Sequence, residues 1–167
     1  MKAQVPSLAM DEISLRNYRG LDIEAMFRLD IDCFAPEFRF DRESMRAFAE
    51  DRGAIALLAE TMGGELAGFV IIHVERVAVR RRRGYVVTLD VAEEWRRKGL
   101  AGRLMREAEA RAIAAGARWM ELHVFTGNDA AIRFYERLGY ERIALRQRFY
   151  GAEGLDAFVY RKEIENL

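Results

Sequence analysis

Residues 85–102 constrain the chain more than any other stretch. Tyr85, Val86, Val87, Thr88, Leu89, Asp90 and Val91 make a strand-like run rich in β-branched and aromatic side chains. It gives way, through the basic turn Arg96, Arg97, Lys98 and Gly99, to apolar residues at helical spacing. Leu100, Leu104, Met105, Ala108 and Ala112 occupy one stripe, and Gly116 is placed to end the helix. A second strand-like run, Trp119 to Phe125, follows. A strand, a crossing helix and a further strand imply parallel pairing, with the helix lying on the face of a sheet.

The flanking segments read as more of the same layered fold. Ile13 and Leu15 alternate with polar neighbours before Gly20, as in a short strand. Asp22 is an N-cap candidate for a helix whose Ile23, Met26, Phe27, Ile31 and Phe34 face inward, ending before Pro36. Phe40 to Ala49 reads as a second short helix, with Gly53 closing the turn after it. Ala54 to Glu60 and Leu66 to Glu75 form a hairpin through Met62, Gly63 and Gly64. The cluster Arg80 to Arg83 with Gly84 marks another tip, read as a solvated loop in preference to a nucleic-acid patch. Asn128 to Gly139 is a short helix, and Tyr140 to Phe149 and Ala157 to Ile164 are two last strands. The order β-α-α-β-β-β-α-β-α-β-β mixes crossovers with hairpins. It predicts an α/β (α+β) fold, a mixed, mostly antiparallel sheet of roughly six to seven strands flanked by about four helices.

Bulk properties narrow the functional classes. A chain of 167 residues reads as one domain spanning 1–167, with roughly the first ten residues expected to be disordered. Lys plus Arg and Asp plus Glu are both 27, so nothing global recruits nucleic acid or an anionic membrane. No segment approaches the ~20 apolar residues of a membrane span. The one cysteine, Cys33, excludes an intrachain disulfide and fits a cytoplasmic protein. Cys33, His73 and His123 are too scattered for a zinc site, so no metal is expected. No Gly-x-Ser-x-Gly elbow occurs, which disfavours a serine hydrolase.

Two segments carry chemistry. Unpaired N–H groups at a helix start, with the positive end of its dipole, attract phosphate oxygens. Arg97, Lys98, Gly99, Leu100, Ala101 and Gly102 are placed to offer them, with Arg96 adding charge. A basic turn capping an ordinary helix explains the pattern equally well, and the Walker and Rossmann patterns are incomplete. In the second segment, Asn128 reads as a helix N-cap or a ligand contact. Phe134 and Leu138 lie i, i+4 toward the core, turning Tyr135 to another side. Tyr135 is a proton donor for a departing thiolate or an interfacial ring with a wet hydroxyl.

Together these two segments resemble the GNAT family of N-acetyltransferases, closely over Tyr85 to Tyr140 and by element order over nearly the whole chain. The resemblance implies a sheet splayed between its fourth and fifth strands, with acetyl-CoA as cosubstrate. Leu89, Asp90 and Val91 would hold the pantetheine arm, the Arg97 to Gly102 turn the pyrophosphate, and Asn128 the cofactor near the pantetheine. Tyr135 matches the family's general acid, and the Val91 N–H would stabilise the oxyanion. Asp30 to Phe34, and Phe149 and Tyr150 with Asp156 and Ala157, resemble the branch of ribosomal-protein alanine and other protein N-terminal acetyltransferases. That branch implies a protein N-terminal amine as acceptor, met between Phe34 and Tyr150. A small-amine acetyltransferase and a noncatalytic acyl-CoA-binding sensor are the alternatives, and monomer and homodimer are both open. The chain departs from the branch at the base: His123 stands where a glutamate is expected, with Glu121, Tyr85 and water as other candidates. His73 is expected to be structural.

Overall fold

The computed structural model describes residues 12–151 and 154–164, so the expectation of disorder over the first ten residues lies outside the described residues. The chain runs β1 (Ile13–Asn17), α1 (Ile23–Cys33), α2 (Arg42–Glu50), β2 (Ala54–Thr61), β3 (Leu66–Ala78) and β4 (Arg81–Val91). It continues through α3 (Leu100–Ala114), β5 (Ala117–Phe125), α4 (Asp129–Arg137), β6 (Glu141–Tyr150) and β7 (Leu155–Glu163). This is the order expected from the sequence. The strands form one seven-stranded sheet in the order β1-β2-β3-β4-β5-β7-β6. Every neighbouring pair is antiparallel except β4 and β5.

The one parallel pair is short and positions the site. β4 and β5 are in register only from Arg82 with Ala117 to Tyr85 with Glu121, after which they part from each other while β4 stays paired with β3 and β5 with β7. The sheet therefore opens like a V at its middle. On the other side of β4, Ile72 pairs with Val86 and Ile71 with Thr88, leaving Val87 as an extra residue. Such a bulge slips the alternation by one, so Thr88 and Asp90 share the face of Tyr85.

α3 seals the core. Leu100, Leu104, Met105, Ala108 and Ala112 are all buried, as their spacing demands, and each large side chain among them contributes roughly 1.5–3 kcal/mol by leaving water. Gly84 lies in β4, and a Cβ there would come within 2.4 Å of Met120 Sδ and 3.4 Å of Ala112 Cβ. The missing side chain lets helix and sheet approach.

Several local expectations are corrected. The arginine cluster is a solvated loop only in part: Arg80 sits in the exposed turn after Ala78, but Arg81, Arg82 and Arg83 open β4 and have partners. Arg83 bonds Glu75 at 3.0 Å and Glu121 at 2.8 Å, Arg81 stacks on Trp119 at 5.2 Å, and Arg82 donates to the Ala115 carbonyl. In α1 the buried face is Ile23, Met26, Leu29 and Asp30, while Ile31 is exposed. The Asp22 carboxylate takes the Arg19 N–H and the Arg16 guanidinium, so it does not cap α1. In α4 Phe134 and Leu138 pack against the core as expected, but Tyr135 is buried there with them rather than turned to another side. The expectation for His73 is not among those corrected: its Nε2 lies 2.8 Å from the Phe48 carbonyl.

Candidate active site

The V between β4 and β5 opens into a cleft of about 1060 Å³. Of the residues singled out in the sequence, Phe34, Leu89, Val91, Arg96, Arg97, Gly99, Leu100, Ala101, Gly102, His123, Asn128, Tyr135 and Tyr150 all line it. Segments far apart in the chain thus meet on one surface. Asp90 and Lys98 do not line the cleft. Asp90 is fully buried because the bulge turns it toward α1, and the Lys98 ammonium sits 5.5 Å over the Trp95 ring.

At one end the cleft meets the start of α3. Gly99 is the N-cap, at φ 86°, and Arg97 precedes it at φ 60°. This left-handed entry suits glycine at position 99 and aims the first α3 N–H groups outward. The Arg96 guanidinium bonds the Val91 carbonyl at 3.0 Å and lies 3.6 Å from Cys33 Sγ, tying the turn to the end of β4. Arg106 and Arg137 also line the cleft. Neither was legible beforehand, since each sits among charges that a surface helix carries anyway.

Across the cleft, the Tyr135 ring packs 5.6 Å from Tyr140 and 5.0 Å from Phe134, edge to face. Burial, then the negative charge of Asp90 and the Tyr150 phenol, push the Tyr135 hydroxyl well above the ordinary phenol range. The group keeps its proton. Asn128 caps α4, its side chain accepting the Ala131 N–H at 3.1 Å. It lines the cleft in the same pose.

His123 and Tyr85 form the remaining polar pair, Tyr85 Oη lying 2.8 Å from His123 Nδ1. Burial pushes the imidazole below its usual range and the Tyr85 phenol up to about 12. At neutral pH the phenol therefore donates to Nδ1, and the ring proton sits on Nε2. Phe149 stacks on the imidazole at 4.1 Å with the planes 1° apart. Glu121 is committed elsewhere. Burial would raise its carboxylate, but the bonds from Arg83 and Trp119 outweigh that and hold it below the usual range.

The far end is aromatic. Phe38 packs against Tyr150 at 4.9 Å and Phe125 at 5.1 Å, and all three line the cleft with Phe34 and Phe40. Phe38 was missed in the sequence because its loop carries no periodicity. No Asp or Glu is among the described lining residues.

A family model for the acetyltransferase (GNAT) family matches residues 23–140, which makes the class of protein an acyltransferase. The chain belongs to the GNAT acetyltransferase family. It is similar to the N-alpha-acetyltransferase daf-31 of Caenorhabditis elegans, 25% identical over 154 residues that cover 91% of this chain and 83% of that one. Its fold is similar to that of Arabidopsis thaliana NAA60 in complex with acetyl-CoA, with a TM-score of 0.79, 22% identity, and coverage of 91% and 98%. It is likewise similar to the ribosomal-protein-S18-alanine N-acetyltransferase of Escherichia coli, with a TM-score of 0.78, 20% identity, and coverage of 93% and 96%. Among the described residues no helix is long and apolar enough to cross a membrane, and no group of acids, histidines and cysteines could hold a metal.

Proposed function

We propose that this chain transfers the acetyl group of acetyl-CoA directly to a protein N-terminal α-amine, without a covalent enzyme intermediate. The observation that carries the reading is the V between β4 and β5, which opens a helix N-terminus, a buried phenol and the His123 imidazole, itself bonded to Tyr85, onto one cleft. Similarity to an N-alpha-acetyltransferase supports the acceptor class.

The residues present suit the cosubstrate. The N–H groups that open α3 would face the pyrophosphate, with Arg97 beside them, and the edge of β4 that faces away from β3, from Leu89 to Val91, would hold the pantetheine by its amides. An α-amine has a pKa near ~7.7–8.0, so only modest help frees its lone pair. Its proton, carried by water, passes to the Tyr85 oxygen as Tyr85 hands its own proton to Nδ1, so the imidazole ends protonated and the phenol neutral. Attack on the thioester carbonyl places charge on the oxygen, which the Val91 N–H receives, and Tyr135 then protonates the leaving thiolate. A cytoplasmic location belongs to the same reading, supported by the free Cys33 thiol.

The absence of carboxylates from the described lining favours an extended, apolar N-terminus over a polycation, which would draw on acidic walls. Acetyl-CoA turnover should therefore be faster on short peptides with free N-termini than on polyamines or aminoglycosides. Faster turnover on polyamines would replace the acceptor class, and CoA binding without turnover on any amine would make the chain a sensor.

The phosphate turn has its own test. A side chain at position 99 must adopt φ near 86°, which costs about 1–2 kcal/mol. Gly99→Ala should thus weaken acetyl-CoA binding by about tenfold in calorimetry, with peptide KM little changed. Undiminished affinity would mean that the phosphates bind elsewhere.

A further inference from the structure

Behind the cleft lies a pair of acids that the chemistry above does not use. Asp30 on α1 and Asp90 on β4 are both 0% exposed. One oxygen of each has a donor: Asp30 Oδ2 accepts the Phe40 N–H at 3.0 Å, and Asp90 Oδ1 accepts the Thr88 hydroxyl at 2.6 Å. The other two, Asp30 Oδ1 and Asp90 Oδ2, have none. Yet the two carboxyl groups lie within hydrogen-bonding reach of each other. Two carboxylates cannot resolve this, because neither donates and their like charges repel strongly at fully buried positions.

The neighbouring charged and titratable groups do not resolve it either. Arg39 acts on Asp30 from the segment after α1, but its guanidinium is bonded to the Phe34 and Ile31 carbonyls. Arg96 acts on Asp90 from the phosphate turn, but it is bonded to the Val91 carbonyl and to Cys33. Among the described residues, the other titratable groups that feel Asp90 are the Cys33 thiol and the Tyr135 phenol, and neither is a cation. One donor is missing between two acceptors, and a single proton supplies it.

We infer that Asp30 and Asp90 hold one proton between them, and that this acid–carboxylate hydrogen bond positions α1 on β4 beside Val91, where the two halves of the cleft meet. Cys33, one turn along α1 from Asp30, already touches the Val91 carbonyl at 3.4 Å, and Phe34 follows it into the cleft. A shift of α1 would therefore displace the acceptor wall relative to the cofactor strand.

The linkage has a definite sign. In the unfolded chain both acids ionise above ~3.9. In the folded chain burial, and then the charge of Asp30, push Asp90 well above that value. The stability that the shared proton contributes is full below ~3.9 and is lost as pH rises through the raised folded value.

Infrared spectra of the whole chain at pH 7 should show the carbonyl stretch of a protonated carboxyl group, absent from Asp30→Asn and from Asp90→Asn, in which an amide N–H replaces the proton. Unfolding stability of the wild type should fall with pH above ~3.9, and that slope should flatten in Asp90→Asn. The positioning role rests on the acetyl-transfer reading. For it, Asp30→Ala should raise peptide KM about tenfold with acetyl-CoA KM changed less than about twofold, and Asp30→Asn should restore the peptide KM. A wild type without the protonated band and with the same slope as Asp90→Asn would overturn the shared proton, whether or not any variant turns over. An Asp30→Asn enzyme as impaired as Asp30→Ala, or both KM values rising together, would overturn the positioning role. If Asp30→Ala does not fold, the KM comparison of Asp30→Asn with wild type decides it alone, since a peptide KM raised in Asp30→Asn contradicts the inference.

Discussion

Tyr135→Phe should lower kcat by about 10²-fold while leaving acetyl-CoA affinity within about threefold. The substitution removes one hydroxyl from a ring that is 8% exposed and held by Phe134 and Tyr140, so packing survives. What is lost is the proton for the departing thiolate. Tyr135 is pushed far above a free phenol by burial first, which by itself makes it a weak acid. A thiolate formed in the same dry cleft carries the same desolvation penalty, so its own proton affinity rises in step. The pair stays matched where two groups in water would not. A 10²-fold loss corresponds to about 2.7 kcal/mol of transition-state stabilisation, and it should appear in kcat and kcat/KM alike. Unchanged turnover with peptide acceptors would remove Tyr135 as the acid.

His123→Ala should also cost about 10²-fold in kcat/KM, with a change of shape that Tyr135→Phe does not produce. Burial lowers the imidazole, so in the wild type the acid limb of the pH–rate profile at saturating acceptor should lie below ~6.5. Without the imidazole only amine that is already neutral can attack, and the limb should move up toward ~7.7–8.0. Because Tyr85 works through the 2.8 Å bond to Nδ1, Tyr85→Phe should reproduce part of the shift. The double variant should be little worse than His123→Ala alone. A profile unmoved by His123→Ala would leave water as the base.

Much of this was legible in the chain. The helical stripe of α3 and the Met62 to Gly64 hairpin declare themselves through period and turn chemistry, because their partners are close in sequence. Less legible were positions where two local readings compete. Tyr135 and Phe134 are both aromatic neighbours on one short helix, and only the packing of Tyr140 decides which is buried. Arg81 to Arg83 look like a loop until Glu75, Trp119 and Glu121 arrive from other strands to satisfy them.

By itself, the sequence determined the order of elements, the parallel βα crossover and the glycine entry to α3, since each depends on residues a few positions apart. Tertiary structure alone decided which face of β4 Asp90 occupies. Strict alternation from Tyr85 puts it opposite that residue, but the extra Val87 turns it back toward Asp30. A bulge arises from the register with a neighbouring strand, not from the residue that forms it. The meeting of Tyr85 with His123 has the same origin, because it needs β4 and β5 paired as far as Tyr85 and Glu121 and parted beyond them.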